Sequence, residues 1–234
     1  MRYNTNYQKI IATILLTCFT VNIFAHDAWV EPTAGPIYRI LYGHKIPESY
    51  KAMKVTSLKV YNTNKQLVKF DKMETKEGVS IKALAKPAMF ALEFDNGYWV
   101  KVGKESKNVR KSEMPEGTDP VHPLKFSKTI KVWEDWMKKP IGQRIEFIPL
   151  NFKGSPKAGY KLKMQLLLDG KPLSGQMVEN NSNEQGPKTD SDGFVTVSVL
   201  KGQNRFATDY DIKQPNEPDA LRLSLTAALV FVAK

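Results

Sequence analysis

The chain has 234 residues, 35 Lys and Arg against 24 Asp and Glu, and a single Cys. That length can bury a core without covalent staples, and one thiol excludes an internal disulfide framework. The formal charge of +11 raises the question of nucleic acid. However, Lys54, Lys59, Lys82, Lys101, Lys161 and Lys163 are scattered along strand-like segments with no arginine cluster and no nucleic-acid motif, so a solvated basic surface and no nucleic-acid partner is the expectation.

At the N-terminus, Arg2 and Lys9 precede an apolar run over 10–21, and Asn22-Ile23-Phe24-Ala25 supplies a small residue at a cleavage position. This order of charge, apolar core and small residue predicts a secretory signal peptide over 1–25. The run is too short to span a bilayer and stop there. Cys18 is followed by further apolar residues rather than closing the run, which argues against a lipid anchor. Cleavage after Ala25 predicts a periplasmic or otherwise secreted protein with no integral membrane segment after processing. It also discards the thiol and makes His26 the first residue.

Downstream, the apolar periodicity is that of strands. Segments 36–42, 55–61, 79–84, 88–94 and 98–102 are rich in β-branched and aromatic residues, and Asn62-Thr63-Asn64, Glu77-Gly78 and Asp95-Asn96-Gly97 punctuate them. Asn96-Gly97, between two apolar runs, predicts a tight hairpin, because both residues tolerate positive φ. Over 124–139, Phe126, Ile130, Trp133 and Met137 recur at helical spacing, while Phe126, Lys128, Ile130 and Val132 also fit a strand. A connecting segment is expected there, ending near Pro140-Ile141-Gly142.

The second half has the same β-rich character. Segments 143–150, 161–168, 175–179, 194–200, 205–210 and 221–232 read as strands, separated by turns such as Asp169-Gly170-Lys171-Pro172 and Asp190-Ser191-Asp192-Gly193. The expected fold is all-β, with two immunoglobulin-like or transthyretin-like β-sandwich domains after a cleaved signal peptide. Their bounds are 26–123, which carries the candidate site, and 142–234, joined by 124–141. The loop 180–187 is polar.

Candidate chemistry centres on the histidines, of which there are three: His26, His44 and His122. A terminal histidine can close a chelate ring on a metal with its α-amine and its imidazole Nδ1, which an internal histidine cannot. An α-amine has a reference pKa just below 8, so a metal displaces its proton readily near neutral pH. Such nitrogen ligands suit nickel, cobalt, copper or zinc. His44 follows a strand in Tyr42-Gly43-His44, and His122 sits in Asp119-Pro120-Val121-His122-Pro123; if all three converge, they make a site of one amine and three imidazoles.

Other chemistries are less well supported. Asp27, Glu31, Glu93 and Asp119 have no spacing that marks a catalytic pair, and neither a Gly-x-Ser-x-Gly, a His-Glu-x-x-His nor a phosphate loop occurs. Asp190-Ser191-Asp192-Gly193 lacks the later ligands of a calcium loop and reads as a turn. Trp29, Trp99, Trp133 and Trp136 fit the core or rim of a sandwich better than a sugar platform.

His26-Asp27-Ala28-Trp29-Val30-Glu31-Pro32 directly after a signal, then Tyr42-Gly43-His44, then the segment 142–150, Leu168-Asp169-Gly170-Lys171-Pro172-Leu173 and Thr189-Asp190-Ser191-Asp192-Gly193 resemble the exported proteins grouped as domain of unknown function 4198. The resemblance covers most of the mature chain, and its terminal His-x-x-Trp element is its most specific part. It implies a periplasmic binder of a divalent transition metal, nickel or cobalt, with a membrane metal-uptake system as partner and no catalytic turnover. His26 and His44 match the family motifs; His122 is added on its rarity and its loop. Two rival readings remain: a copper-binding oxidative enzyme using the terminal histidine, and a non-metal exported interaction or carbohydrate-binding β module.

Overall fold

Alternation of apolar and polar residues, with apolar runs where both faces are covered, sets the layers of the molecule. The computed structural model describes residues 26–44, 46–181 and 186–234. The expected signal peptide, 1–25, lies outside the described residues, as do Lys45 and 182–185 of the polar loop. The described strands are β1 (Asp27–Pro32), β2 (Ile37–Gly43), β3 (Val55–Tyr61), β4 (Phe70–Thr75), β5 (Gly78–Ala83), β6 (Met89–Asp95), β7 (Trp99–Val102), β8 (Glu105–Lys107), β9 (Thr118–Ile130), β10 (Ile145–Pro149), β11 (Lys161–Leu168), β12 (Lys171–Pro172), β13 (Glu179–Asn180), β14 (Phe194–Ser198), β15 (Gly202–Lys213) and β16 (Arg222–Ala233). Among the described residues, helix is confined to short 3-10 turns at Ala52–Lys54, Lys111–Glu113 and Asp135–Lys138. The all-β, sandwich-like reading of the sequence therefore holds, and among the described residues no helix is long and apolar enough to cross a membrane.

A central sheet runs β13-β15-β16-β9-β6-β3, with β7 and β8 joined at β9. One smaller sheet, β1-β2-β5-β4, and another built on β10-β11-β12 with β14 complete the architecture. Strand β6 explains the layering. Because side chains alternate along a strand, Met89 and Ala91 enter one core while Phe90, Leu92 and Phe94 enter the other. The run Ala88-Met89-Phe90-Ala91-Leu92 is continuous because both faces are dry. At roughly 25 cal/mol per Å² of apolar surface removed from water, such a strand is a main source of stability.

The cores do not divide at the boundary expected near residue 140. The first comprises residues from Ala28 to Phe94, whereas the second mixes Tyr61, Ala88 and Met89 with residues of the C-terminal half as far as Ala233. The segment 124–141 divides likewise: its first part is the buried half of β9, paired in parallel with β16, and its remainder holds the 3-10 turn. Helical spacing over Ile130, Trp133 and Met137 arises there because a strand end and a short turn both face the same core. A buried ion pair pins the junction. Lys128 Nζ lies 2.5 Å from Glu146 and donates to the Phe147 carbonyl at 2.9 Å, while Glu146 accepts from the Ile141 and Gly142 amides.

The hairpin expected at Asn96-Gly97 is not formed. Gly97 does take the positive φ of +75°, but β6 and β7 pair with β9 instead of with each other. Asn96 is recruited elsewhere. Its side chain donates to the Tyr42 hydroxyl and accepts from Lys54, and its carbonyl accepts from Lys54, Trp99 and Asn108. Those bonds hold the two chain segments in line along one edge of β9.

Candidate functional site

The first described residue, His26, continues the face of β1 that enters the first core. Alternation carries Ala28 and Val30 into that core, and His26 lies at its mouth, its ring stacked on Tyr42 at 5.3 Å and 16°, with Tyr42 stacked in turn on Phe94 at 5.0 Å. His26 Nε2 lies 2.7 Å from Glu48 Oε1. An ionised carboxylate only accepts, so this nitrogen carries the proton and the neutral ring keeps its lone pair on Nδ1. Tyr42 is buried and bonded by Asn96, and burial pushes its hydroxyl up to about 12. It serves as a neutral platform.

The opposite face of β1 is anchored by charge. Asp27 Oδ2 lies 3.0 Å from Arg205 Nε, with both side chains buried. Arg205 also sits 4.2 Å over the Trp29 ring and donates from Nη2 to the His44 carbonyl at 2.6 Å. The Nε–H is not aligned along its contact with Asp27, so the pair is held by charge more than by a directional hydrogen bond. Burial pushes the Asp27 carboxyl up to about 6 against the pull of Arg205 and Lys125. One arginine thus clamps the ends of β1 and β2, and through them the position of His26.

The histidines separate. The β1–β2 register pairs Asp27 with Gly43, which brings His44 to the same end of that sheet as His26. His44 lines a pocket of about 230 Å³ together with Asp27, Glu179, Thr208 and Asp209. His122 lies between Val121 and Pro123, both of which line a larger cavity, so alternation along β9 turns it to the other face. There its Nε2 lies 2.7 Å from Asp95 and its ring stacks on Tyr98 at 4.3 Å. Burial pushes Asp95 upward, but its bonds to His122 and Gly97 more than offset that and leave it below the usual carboxylate range. Among the described residues no three His, Cys, Asp or Glu side chains come together to hold a metal ion. The site of three imidazoles is therefore not assembled in this arrangement; His26 stands with one carboxylate, Glu48.

The larger cavity, about 460 Å³, begins at His26, Tyr42 and Glu48. Its floor is the part of the central sheet that β1 leaves uncovered. Register places Lys125, Thr226 and Asp209 in one row and Pro123, Ser224 and Asp211 in the next. Lys125 donates to Thr226 at 3.2 Å, and Thr226 bonds Asp209. Burial lowers Lys125 and raises Asp209 from their ordinary values, each partly restored by the other's charge. Trp99, Val121 and Pro123 make an apolar wall, and Arg222 and Lys101 both reach the Asp119 carboxylate, at 3.2 and 3.4 Å. Asp119 holds a φ of +49°, a conformation a non-glycine residue adopts at a cost.

Composition and spacing do not reveal Glu48, Arg205 or Lys125. Arg205 has a signal: a charge at the face opposite core-buried Phe206 demands a buried partner. Glu48, in a proline-containing loop, has none.

A family model described as "Domain of unknown function (DUF4198)" matches residues 23–211. A protein of Haemophilus influenzae, itself described as uncharacterized, is 27% identical over 213 residues, spanning 90% of this chain and 91% of that one. No solved structure matches.

Proposed function

The chain belongs to the family described as domain of unknown function DUF4198, and on that premise we propose that it captures a divalent transition metal ion, nickel or cobalt, outside the cytoplasm and delivers it to a membrane uptake system. The observation that carries this reading is the setting of His26. Its Nε2 is engaged by Glu48 and its ring is braced by Tyr42, which leaves Nδ1 as the nitrogen that closes a chelate ring with the residue's own amine once Ala25 is removed. A carboxylate on the remote nitrogen of a ligating histidine fixes ring orientation and tautomer and raises its basicity as a ligand. Glu48 fits that role.

The mode of action is binding and release without chemical turnover. Amine and imidazole must be deprotonated to hold the ion, so protons compete with it and acidification favours release. His44, on the adjoining pocket, belongs to the clamp that positions β1, and His122 is committed to Asp95 and Tyr98. Titration calorimetry with nickel on protein beginning at His26, against its His26→Ala variant, tests the reading. One ion bound by the parent and none by the variant is expected; equal binding by both overturns it.

A further inference from the structure

We propose that the ion is held as a mixed-ligand complex, in which a small carboxylate-bearing organic chelator occupies the 460 Å³ cavity beside His26 and completes the metal's coordination. This rests on the reading of His26 as a metal ligand. By itself His26 leaves the ion's coordination incomplete. It supplies one amine and one ring nitrogen, and among the described residues no group of three His, Cys, Asp or Glu side chains adds to it. The metals suited to these nitrogens take four to six ligands, so at least two positions are filled from elsewhere.

Space is available for such a ligand. At roughly 30 Å³ per water, an ion with six waters occupies about 200 Å³, whereas the cavity that opens at His26 has about 460 Å³. That volume falls in the range of small-ligand pockets, and its lining has their character, an apolar wall with a few placed polar groups. Trp99, Val121 and Pro123 give the ligand's carbon frame a dry surface.

The lining carries both signs, Lys101, Lys125 and Arg222 against Glu48, Asp119, Asp209 and Asp211, a setting for a chelator that, like an amino acid, bears both an amine and a carboxylate. Lys125 is buried in the floor, with Asp209 exposed beside it in the same row, and a buried lysine is costly unless function retains it. At the far end Lys101 and Arg222 already grip a carboxylate, that of Asp119, on a backbone held at positive φ. A carboxylate of a bound chelator meets the same two cations in competition with Asp119 and with Asp211, which Arg222 also holds at 2.8 Å. Amino acids and hydroxy acids of this size combine the needed features: a carboxylate, a second donor for the metal, and a short carbon frame.

The test uses full mature protein beginning at His26, titrated with nickel chloride alone and with nickel premixed with one equivalent of L-histidine or of citrate. The expected result is at least tenfold tighter binding of the premixed complex for one of the two, with one chelator retained per protein after gel filtration. Ser106→Trp, on the exposed edge strand β8 that lines the cavity, narrows the space while leaving His26 and Glu48 as they are. It should abolish the gain from the chelator and leave binding of nickel alone unchanged, with circular dichroism confirming the fold. If nickel alone binds and both chelators merely strip it, the mixed-ligand inference falls and the role of His26 stands. If nickel binds in no form, the proposed function itself falls.

Discussion

Along β16 the odd-numbered residues from Leu223 to Ala233 all enter one apolar core. The even-numbered residues change character along the strand: Arg222 and Ser224 line the cavity, Thr226 bonds Asp209, and Val230 packs under Trp29 of β1. The two faces of one strand thus divide the work. The uniform face is dry along its length and stabilises the fold, whereas the graded face passes from structural to available at the point where β1 ends and His26 begins.

Truncation on the uniform face should have the largest effect on stability. Phe231→Ala removes a fully buried ring and is expected to cost about 4 kcal/mol of unfolding free energy, read by denaturant titration. Affinity for nickel in the folded fraction should be unchanged. On the graded face, Arg205→Met leaves Asp27 buried without its cation and should cost about 3 kcal/mol. Unlike the first variant, it should also weaken nickel binding, because it loosens the ends of β1 and β2 together.

Proton linkage sharpens the contrast further. The Asp27 carboxyl stands at about 6 in the fold against 3.8 in the open chain, so the folded state holds that proton more tightly. Its contribution is fully present below 3.8 and is lost as pH rises to about 6. Burial raises Asp209 in the same sense. Urea midpoints should therefore fall between about pH 4 and 6 more steeply in the parent than in Asp27→Asn, and parallel slopes would show that Asp27 does not set the pH dependence. The smallest expected effect is at Glu48. Its side chain is 54% exposed, so Glu48→Gln should leave stability unchanged while lowering nickel affinity roughly tenfold.

Much of this fold was legible because strand patterns are local. The segment 161–168 coincides with β11, and 55–61 with β3. Pairing was not legible, because the partner of a strand is a long-range fact: Asn96-Gly97 carries hairpin chemistry, yet its flanking strands both choose β9. The domain boundary was obscured for the same reason, since β9 belongs by sequence to the first half and pairs through β16 with the second. At the site, His26 was singled out by the rarity of histidine and by the signal-like order of residues before it. What holds that histidine was not legible, because Glu48 reaches its ring through loop geometry across 22 residues and Arg205 reaches the neighbouring Asp27 through strand register.

The most direct measurement compares protein beginning at His26 with protein that keeps Ala25 in front of it. Acylation of the His26 nitrogen leaves the ring, Glu48 and Tyr42 in place and removes only the amine. If amine and ring chelate the ion together, the extended form binds nickel at least tenfold more weakly, about 1.4 kcal/mol or more, and its ligand-field spectrum changes. Equal affinity and identical spectra in the two forms would contradict a chelate at His26.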